Sequence, residues 1–356
     1  MELSRMPFVL KRNRVAYLIK GGTLLKEFFG YDDPDNRYSQ VWLASTVTSS
    51  LRKGTEGLSA LREDFGGGYL KELLEREPDA FLGKKHADVY GASPAVLVKL
   101  LNSETRLLVQ THPTKENAKR YFGLPFGKTE CWYVLDVEKN RPAYIYAGFR
   151  PGVTRECFRS YIEAQDTEKI LNCLHRFAVV PGDVVYIPAG TPHALGAGSL
   201  VAEIQEPVDI TLRAERIRPD GSVLPEESLH GGKGMEVLLD CFDFTCMERE
   251  QARERFFVKT LPLNPDGDAG AVRLIGPGTT ECFTMNRICL SDGGGYNAEN
   301  PSFVIAFITD GSGELLTGDQ SLKLERGMEV FIPHGVSQYR YRTEQALEVL
   351  ECFPPE

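Results

Sequence analysis

The sequence lacks a C-x-x-C pair, a block of like charges and any apolar run of membrane-spanning length. Each absence excludes a class of function. The eight cysteines, at positions 131, 157, 173, 241, 246, 282, 289 and 352, are scattered; they predict reduced core thiols rather than a disulfide framework or a structural zinc knuckle. Forty-one basic residues stand against 50 acidic ones, a formal charge of −9. With no basic block, that balance argues against nucleic acid or a membrane surface as the main partner. A small anionic substrate remains compatible, because a few lysines and arginines in one cleft create a local positive field in an acidic protein. The opening "MELSRMPFVLKRNRVAYLIKGG" breaks its apolar residues with arginine and lysine, so it has no signal-peptide core, and the expected setting is the cytoplasm. The 356 residues are 42% hydrophobic and 26% charged, enough to bury the core of one large or two smaller soluble domains.

Along the chain, "GGYLKELLERE" and "SPAVLVKLL" carry apolar residues at helical spacing, the second opened by Ser93 and Pro94. From Arg106 the text becomes strand-like. "RLLVQTH" is closed by Pro113, and "TKENAKRYFG" reads as a helix capped by Thr114 and stopped near Gly123. "ECWYVLDV" and "RPAYIYAGF" read as two paired strands joined through "EKN". Helical text runs from Thr154 to about His175, followed by short strands punctuated with Gly and Pro, the pattern of a β-sandwich or small barrel. After the helix-like "GMEVLLDCFDF", strands and turns return, "LNPDGDAGAV" and "LSDGGGYN" reading as turns.

One internal similarity stands out. "RFAVVPGDVVYIPAGTPH" and "LKLERGMEVFIPHGVSQ" superpose without a gap at a spacing of 145, matching Gly182 to Gly327, Val185 to Val330, Ile187 to Ile332, Pro188 to Pro333 and Gly190 to Gly335. This suggests a duplicated module whose period is too long for a solenoid. His193 then falls opposite Gln338, so the second copy keeps the turn glycines and loses the histidine.

Gln110 and His112 are separated by one residue in strand-like text, and alternate side chains of a strand share a face. Glu130 opens the next strand, where its face continues through Trp132 and Val134, and His193 follows a "PAGTP" turn. A lone strand histidine is more often a core residue than a ligand. Together, two imidazoles, a carboxylate and an amide oxygen make a mixed nitrogen and oxygen set suited to zinc or another first-row divalent ion, with positions left for water or substrate. His86, His175 and His230 read as polar loop or helix-end residues, and His334 lies in the degenerate copy.

The stretches "QTHP", "GKTECWYVLD", "PGDVVYIPAGTPHALGAG" and "EIQEPVDITLR", with the earlier "NRVAYLIKGGTLLKEFFG" and "VWLAS", resemble the type I phosphomannose isomerases, in particular their short bacterial branch. The likeness runs through about the first 215 residues and more loosely to the end. It implies a mainly β fold with helical insertions, built as two cupin (jelly-roll) barrels, the first binding metal and the second degenerate. The corresponding division is a catalytic domain over 1–235 and a cupin-like domain without ligands over 236–356. It also implies one zinc ion per chain, other divalent metals being possible, held by Gln110, His112, Glu130 and His193. Lys99 and Lys128 would face the substrate, with Glu203, Asp209 and Arg213 near the reacting carbons.

Those residue types fit an aldose–ketose isomerisation of mannose 6-phosphate to fructose 6-phosphate. A proton must leave C2 and arrive at C1 through a cis-enediol, so charge on two oxygens needs a metal and a guanidinium. Arg213 is assigned to that charge, the lysines to phosphate or sugar oxygens, and Glu203 or Asp209 to the proton transfer. The charged stretch "AERIRPDGSVLPEES" after Arg213 departs from the aromatic and acidic text usual in the family and favours, as one rival, an isomerase or epimerase of another sugar phosphate. The other rival is a sugar-phosphate-binding sensor without turnover. The expected partner is a small sugar phosphate, and the expected assembly a monomer or weak homodimer.

Overall fold

A computed structural model describes residues 2–31, 37–51, 54–263, 270–318 and 320–356; the turn expected in "LNPDGDAGAV" lies largely outside them. Strand outweighs helix, so the fold is mainly β. Among the described residues no helix is long and apolar enough to cross a membrane, and all eight cysteines are unbridged.

The chain forms two compact units that do not follow its linear order. The first comprises Ala16–Ser39 and Leu101–Val258; the second comprises Met1–Val15, Gln40–Leu100 and Lys259–Glu356. This partition does not coincide with a division at 235/236. The helix Met235–Asp240 packs Leu238 and Leu239 into the same apolar cluster as Phe149 and Phe158, whereas Phe8 pairs in register with Phe331.

The first unit is built on two antiparallel sheets. In one, the short strand Gln110–Thr111 lies between Leu212–Arg213 and His193–Leu195; the latter pairs with Tyr144–Phe149, which pairs with Leu174–Ala178. In the other, Glu130–Val137 lies between Ser199–Gln205 and Val184–Ile187. Ile145, Ala147, Phe177 and Leu195 from the first sheet share one core with Trp132, Val134, Val185, Ile187 and Val201 from the second, which makes the two sheets a sandwich. A further apolar cluster joins Val109, Phe149 and Leu212 to Phe158 and Ile162 of the helix Arg155–Ala164. Full burial of each of these large side chains contributes about 1.5–3 kcal/mol.

The internal repeat recurs in the placement of strands along the chain. The strand Val184–Ile187 corresponds to Glu329–Ile332 (329 − 184 = 145), and His193–Leu195 begins where Gln338–Arg342 begins (338 − 193 = 145). Gly182 and Gly327 both precede their strands in the left-handed region, φ +95° and +83°, where a side chain is strained. Gln338 is exposed, while Tyr339 and Tyr341 point inward and donate to Glu351.

Several local expectations are corrected. The segment Leu97–Asn102 is a strand with every residue buried, not a helix; a strand covered on both faces reads as continuous apolar text, and Ala95 at φ +58° blocks helix continuation. The strands Glu130–Val137 and Tyr144–Phe149 do not pair but lie in different sheets. The helix expected over 154–175 is two helices, Arg155–Ala164 and Thr167–Asn172, parted by Gln165 at φ +51°, and His175 sits buried in a strand. His86 is likewise buried, within the helix Lys84–Tyr90. Thr114 does cap its helix, accepting from the Asn117 N–H, and Gly123 ends that helical stretch at φ +66°.

The second unit holds two carboxyls in its interior. Burial pushes Glu329 up to about 8, opposed by a hydrogen bond from the Ala44 N–H; burial pushes Glu351 up to about 7, opposed by the two phenols. Both are protonated in the fold over a range where the unfolded chain, at about 4.5, is ionised. Their stabilising contribution is therefore complete below about 4.5 and is lost as pH rises through about 7 and about 8. Thermal unfolding is expected at lower temperature at high pH than in mild acid, with a smaller fall in Glu329→Gln. An identical fall in the variant would remove this carboxyl from the account.

Candidate metal centre

Four of the expected residues meet through strand register. Gln110 stands opposite His193 on one side and opposite Arg213 on the other, and neighbouring strands lie about 4.8 Å apart. In the facing sheet Glu130 heads its strand opposite Gln205 and Ile187. His112 follows the Gln110–Thr111 strand, and its carbonyl accepts from the Gly190 N–H at 2.8 Å. Gly190, at φ +89°, makes the turn that delivers His193, and Thr191 closes it by donating to the Pro188 carbonyl at 3.1 Å.

One ligand atom each from His112, Glu130 and His193 lies within 4.8 Å of the others, and all three residues are buried. His112 Nδ1 is 2.8 Å from the Ile210 carbonyl, and His193 Nδ1 is 2.9 Å from the Thr191 carbonyl. A carbonyl only accepts, so each Nδ1 carries the hydrogen and each Nε2 presents a lone pair. Those lone pairs are aimed at Glu130: His112 Nε2 lies 3.2 Å from Oε2, and His193 Nε2 lies 3.3 Å from Oε1. Oε1 is buried and accepts no hydrogen bond. Three electron-rich groups converging in a dry interior are unfavourable unless a cation satisfies them.

The chain supplies one cation of its own. Lys128 Nζ is 2.5 Å from Glu130 Oε2 and 2.9 Å from His112 Nε2. Burial works against its charge, but Glu130 and then Glu203 outweigh burial and hold Lys128 above its ordinary value. Burial, then the Lys128 charge, pulls His112 down to about 3, so its ring is neutral. Burial opposes ionisation of Glu130, but the Lys128 charge brings the carboxyl well below the usual range. Gln110 completes the ring of donors, its amide nitrogen 3.2 Å from His193 Nε2 and 3.5 Å from His112 Nε2. Rotation of that carboxamide would present its oxygen instead. Two imidazoles, one carboxylate and one amide fit a first-row divalent ion and suit zinc.

The remaining expected residues divide. Arg213 is buried and donates to the Thr211 and Ser228 carbonyls and to the Tyr17 hydroxyl, at 3.3, 3.2 and 3.3 Å. Among the described residues it has no carboxylate partner, so its charge is available to an anion. Glu203 stands opposite Trp132 and accepts from its indole N–H at 3.0 Å. Asp209 is half-buried. Lys99 is buried, with its ammonium 4.8 Å from the centroid of the Trp42 ring in the second unit. The stretch after Arg213 is mostly irregular, as its charge suggests, although Ala214 and Glu215 are buried.

Three supporting groups escape sequence reasoning. Tyr17 touches Arg213. Glu206 accepts from the Thr129 N–H at 2.8 Å, fixing the approach to Glu130. Glu215 takes both ends of Arg106, at 2.7 and 2.9 Å, and also accepts from the Val109 N–H at 2.6 Å. No periodic signal marks them, because each acts across a long loop closure. Glu215→Ala would strand the Arg106 charge, whose side chain is 10% exposed, and is expected to destabilise the protein by about 3–5 kcal/mol. Denaturant unfolding measures this; a loss below about 1 kcal/mol would class the pair with weak surface bridges.

Comparison with known proteins accords with this geometry. The family model "Phosphomannose isomerase type I, catalytic domain" matches residues 12–143, and "Mannose-6-phosphate isomerase, cupin domain" matches residues 277–347. Mannose-6-phosphate isomerase ManA of Bacillus subtilis (strain 168) is 28% identical over 327 residues, covering 90% of this chain and 91% of the relative. The crystal structure of the mannose 6-phosphate isomerase from Bacillus subtilis superposes with a TM-score of 0.76 at 25% identity, covering 97% and 99% of the two chains. A zinc-bound mannose 6-phosphate isomerase shares the fold with a TM-score of 0.75 at 16% identity, covering 98% of this chain and all of the other. The chain is a member of the type I phosphomannose isomerase family.

Proposed function

We propose that the protein is a zinc-dependent aldose–ketose isomerase interconverting D-mannose 6-phosphate and D-fructose 6-phosphate through a cis-enediol. The observation that carries this reading is the cross-strand row Arg213–Gln110–His193, which sets beside the donor cluster a buried guanidinium that has no carboxylate partner among the described residues. Gln110, His112, Glu130 and His193 would hold one divalent ion. When bound, that ion supplies Lewis-acid polarisation of sugar oxygens.

The chain's own groups do the rest. Arg213 stabilises negative charge as it grows on O1 and O2. A carboxylate takes the C2 proton and returns it to C1, while O1 and O2 exchange their hydrogen, so no atom is gained or lost. Glu203 and Asp209 are the candidates: Trp132 orients Glu203, and Asp209 is the more exposed of the two. Lys128, already drawn to Glu130, would move onto sugar oxygens or phosphate once the ion takes its place. The retained repeat strands, with Gln338 exposed at the His193 position, support a second cupin without metal ligands. A cytoplasmic setting fits a phosphorylated sugar.

The experiment is a coupled assay on purified protein before and after chelation. Turnover of mannose 6-phosphate is expected to vanish with chelator and return with zinc. Zinc-loaded protein that ignores mannose 6-phosphate yet isomerises or epimerises another sugar phosphate would overturn the substrate. Binding without any turnover would make it a sensor.

A further inference from the structure

A second opening, with a volume of about 620 Å³, is lined entirely by the second unit and shares no residue with the metal centre. Its floor is the strand pair Val272–Ile275 and Thr284–Leu290, in which Arg273 stands opposite Asn286. Apolar walls rise from Val89 and Tyr90 of the helix Lys84–Tyr90 and from Phe353, and the charged lining is mixed, Lys84 and Lys85 against Glu299 and Glu356.

Two polar groups on that floor are unmet. Asn286 is only 8% exposed, yet its Oδ1 has no hydrogen-bond partner. Arg273 Nε is shielded from solvent and also has none, and among the described residues no carboxylate pairs with this guanidinium. A buried donor on a cation is costly when unsatisfied, and a neighbouring unsatisfied carboxamide adds to that cost. Neither group completes a core network, since both face a cavity of the size that small ligands fill. Val89, at 69% exposure, is a large hydrophobe left uncovered beside it.

We propose that this pocket binds a small organic anion: an oxyanion group, carboxylate or phosphate, received by Arg273 and Asn286, on an aromatic or branched apolar body held by Val89, Tyr90 and Phe353. The guanidinium supplies paired donors to such a group. The carboxamide can meet a second oxygen through its NH₂ or a hydroxyl through its carbonyl.

Titration calorimetry of the full-length, zinc-loaded protein with phenyl phosphate, 3-phenylpropionate and inorganic phosphate tests this, the first two separating phosphate from carboxylate. At least one aromatic anion is expected to bind at a single site, ten times more tightly or better than inorganic phosphate. Arg273→Met should weaken it at least tenfold with isomerase turnover unchanged. Val89→Glu, an exposed substitution that places a like charge at the rim without disturbing the core, should also weaken it. Binding of the aromatic anions within twofold of wild type in both variants, equal affinity for inorganic phosphate, or no binding of either aromatic anion would overturn the proposal.

Discussion

His193→Ala is expected to lose nearly all bound zinc and to lower turnover by at least about a thousandfold. The imidazole is fully buried, its Nδ1 is pinned to the Thr191 carbonyl, and its Nε2 lies 3.3 Å from Glu130 Oε1. Alanine removes one of the two imidazoles that converge on Glu130 among the described residues. Even disturbing a partner behind a metal ligand costs about 10- to 100-fold in affinity or activity, so removing the ligand itself costs more. Metal content after dialysis and kcat are the readouts. A variant that retains stoichiometric zinc would remove His193 from the ligand set.

Arg213→Ala is expected to behave differently: zinc stays, and kcat falls by about a hundred- to a thousandfold, the usual loss when one preorganised donor to a developing oxyanion is deleted, about 2.7–4 kcal/mol. The guanidinium touches carbonyls and the Tyr17 hydroxyl but none of the converging donor atoms, so its removal leaves their positions alone. Arg213→Lys should restore little, because a lysine presents one point charge where the guanidinium presents a planar fork. If the alanine variant turns over at the wild-type rate, the charge on O1 and O2 is stabilised elsewhere. Together the two substitutions separate holding the ion from handling the sugar.

Much of the centre was legible because β-structure has a period of two. Gln110 and His112 share a face by parity, Glu130 sits where a strand begins, and the "PAGTP" turn delivers His193. The 145-residue self-similarity likewise placed strands that the fold reproduces. Parity could not show which strands neighbour one another. Glu130–Val137 and Tyr144–Phe149 look like a hairpin in the text, yet each pairs with later strands. Leu97–Asn102 resembles a helix in the text for a related reason: burial on both faces erases the alternation that distinguishes strand from helix. Tyr17 and Glu215 were invisible because their partners lie 196 and 109 residues away, and local spacing carries no trace of such contacts. The division into units was hidden similarly, since Phe8 meets Phe331 across nearly the whole chain.

The central claim is that His112, Glu130, His193 and Gln110 bind one catalytic divalent ion. Anomalous diffraction at the zinc absorption edge, from crystals grown with zinc, tests it most directly. The account predicts one strong anomalous peak bonded to both Nε2 atoms, to a Glu130 carboxylate oxygen and to the Gln110 amide oxygen, with Lys128 displaced from Glu130. A Lys128–Glu130 pair persisting in zinc-loaded crystals, with the anomalous peak elsewhere or absent, would contradict it.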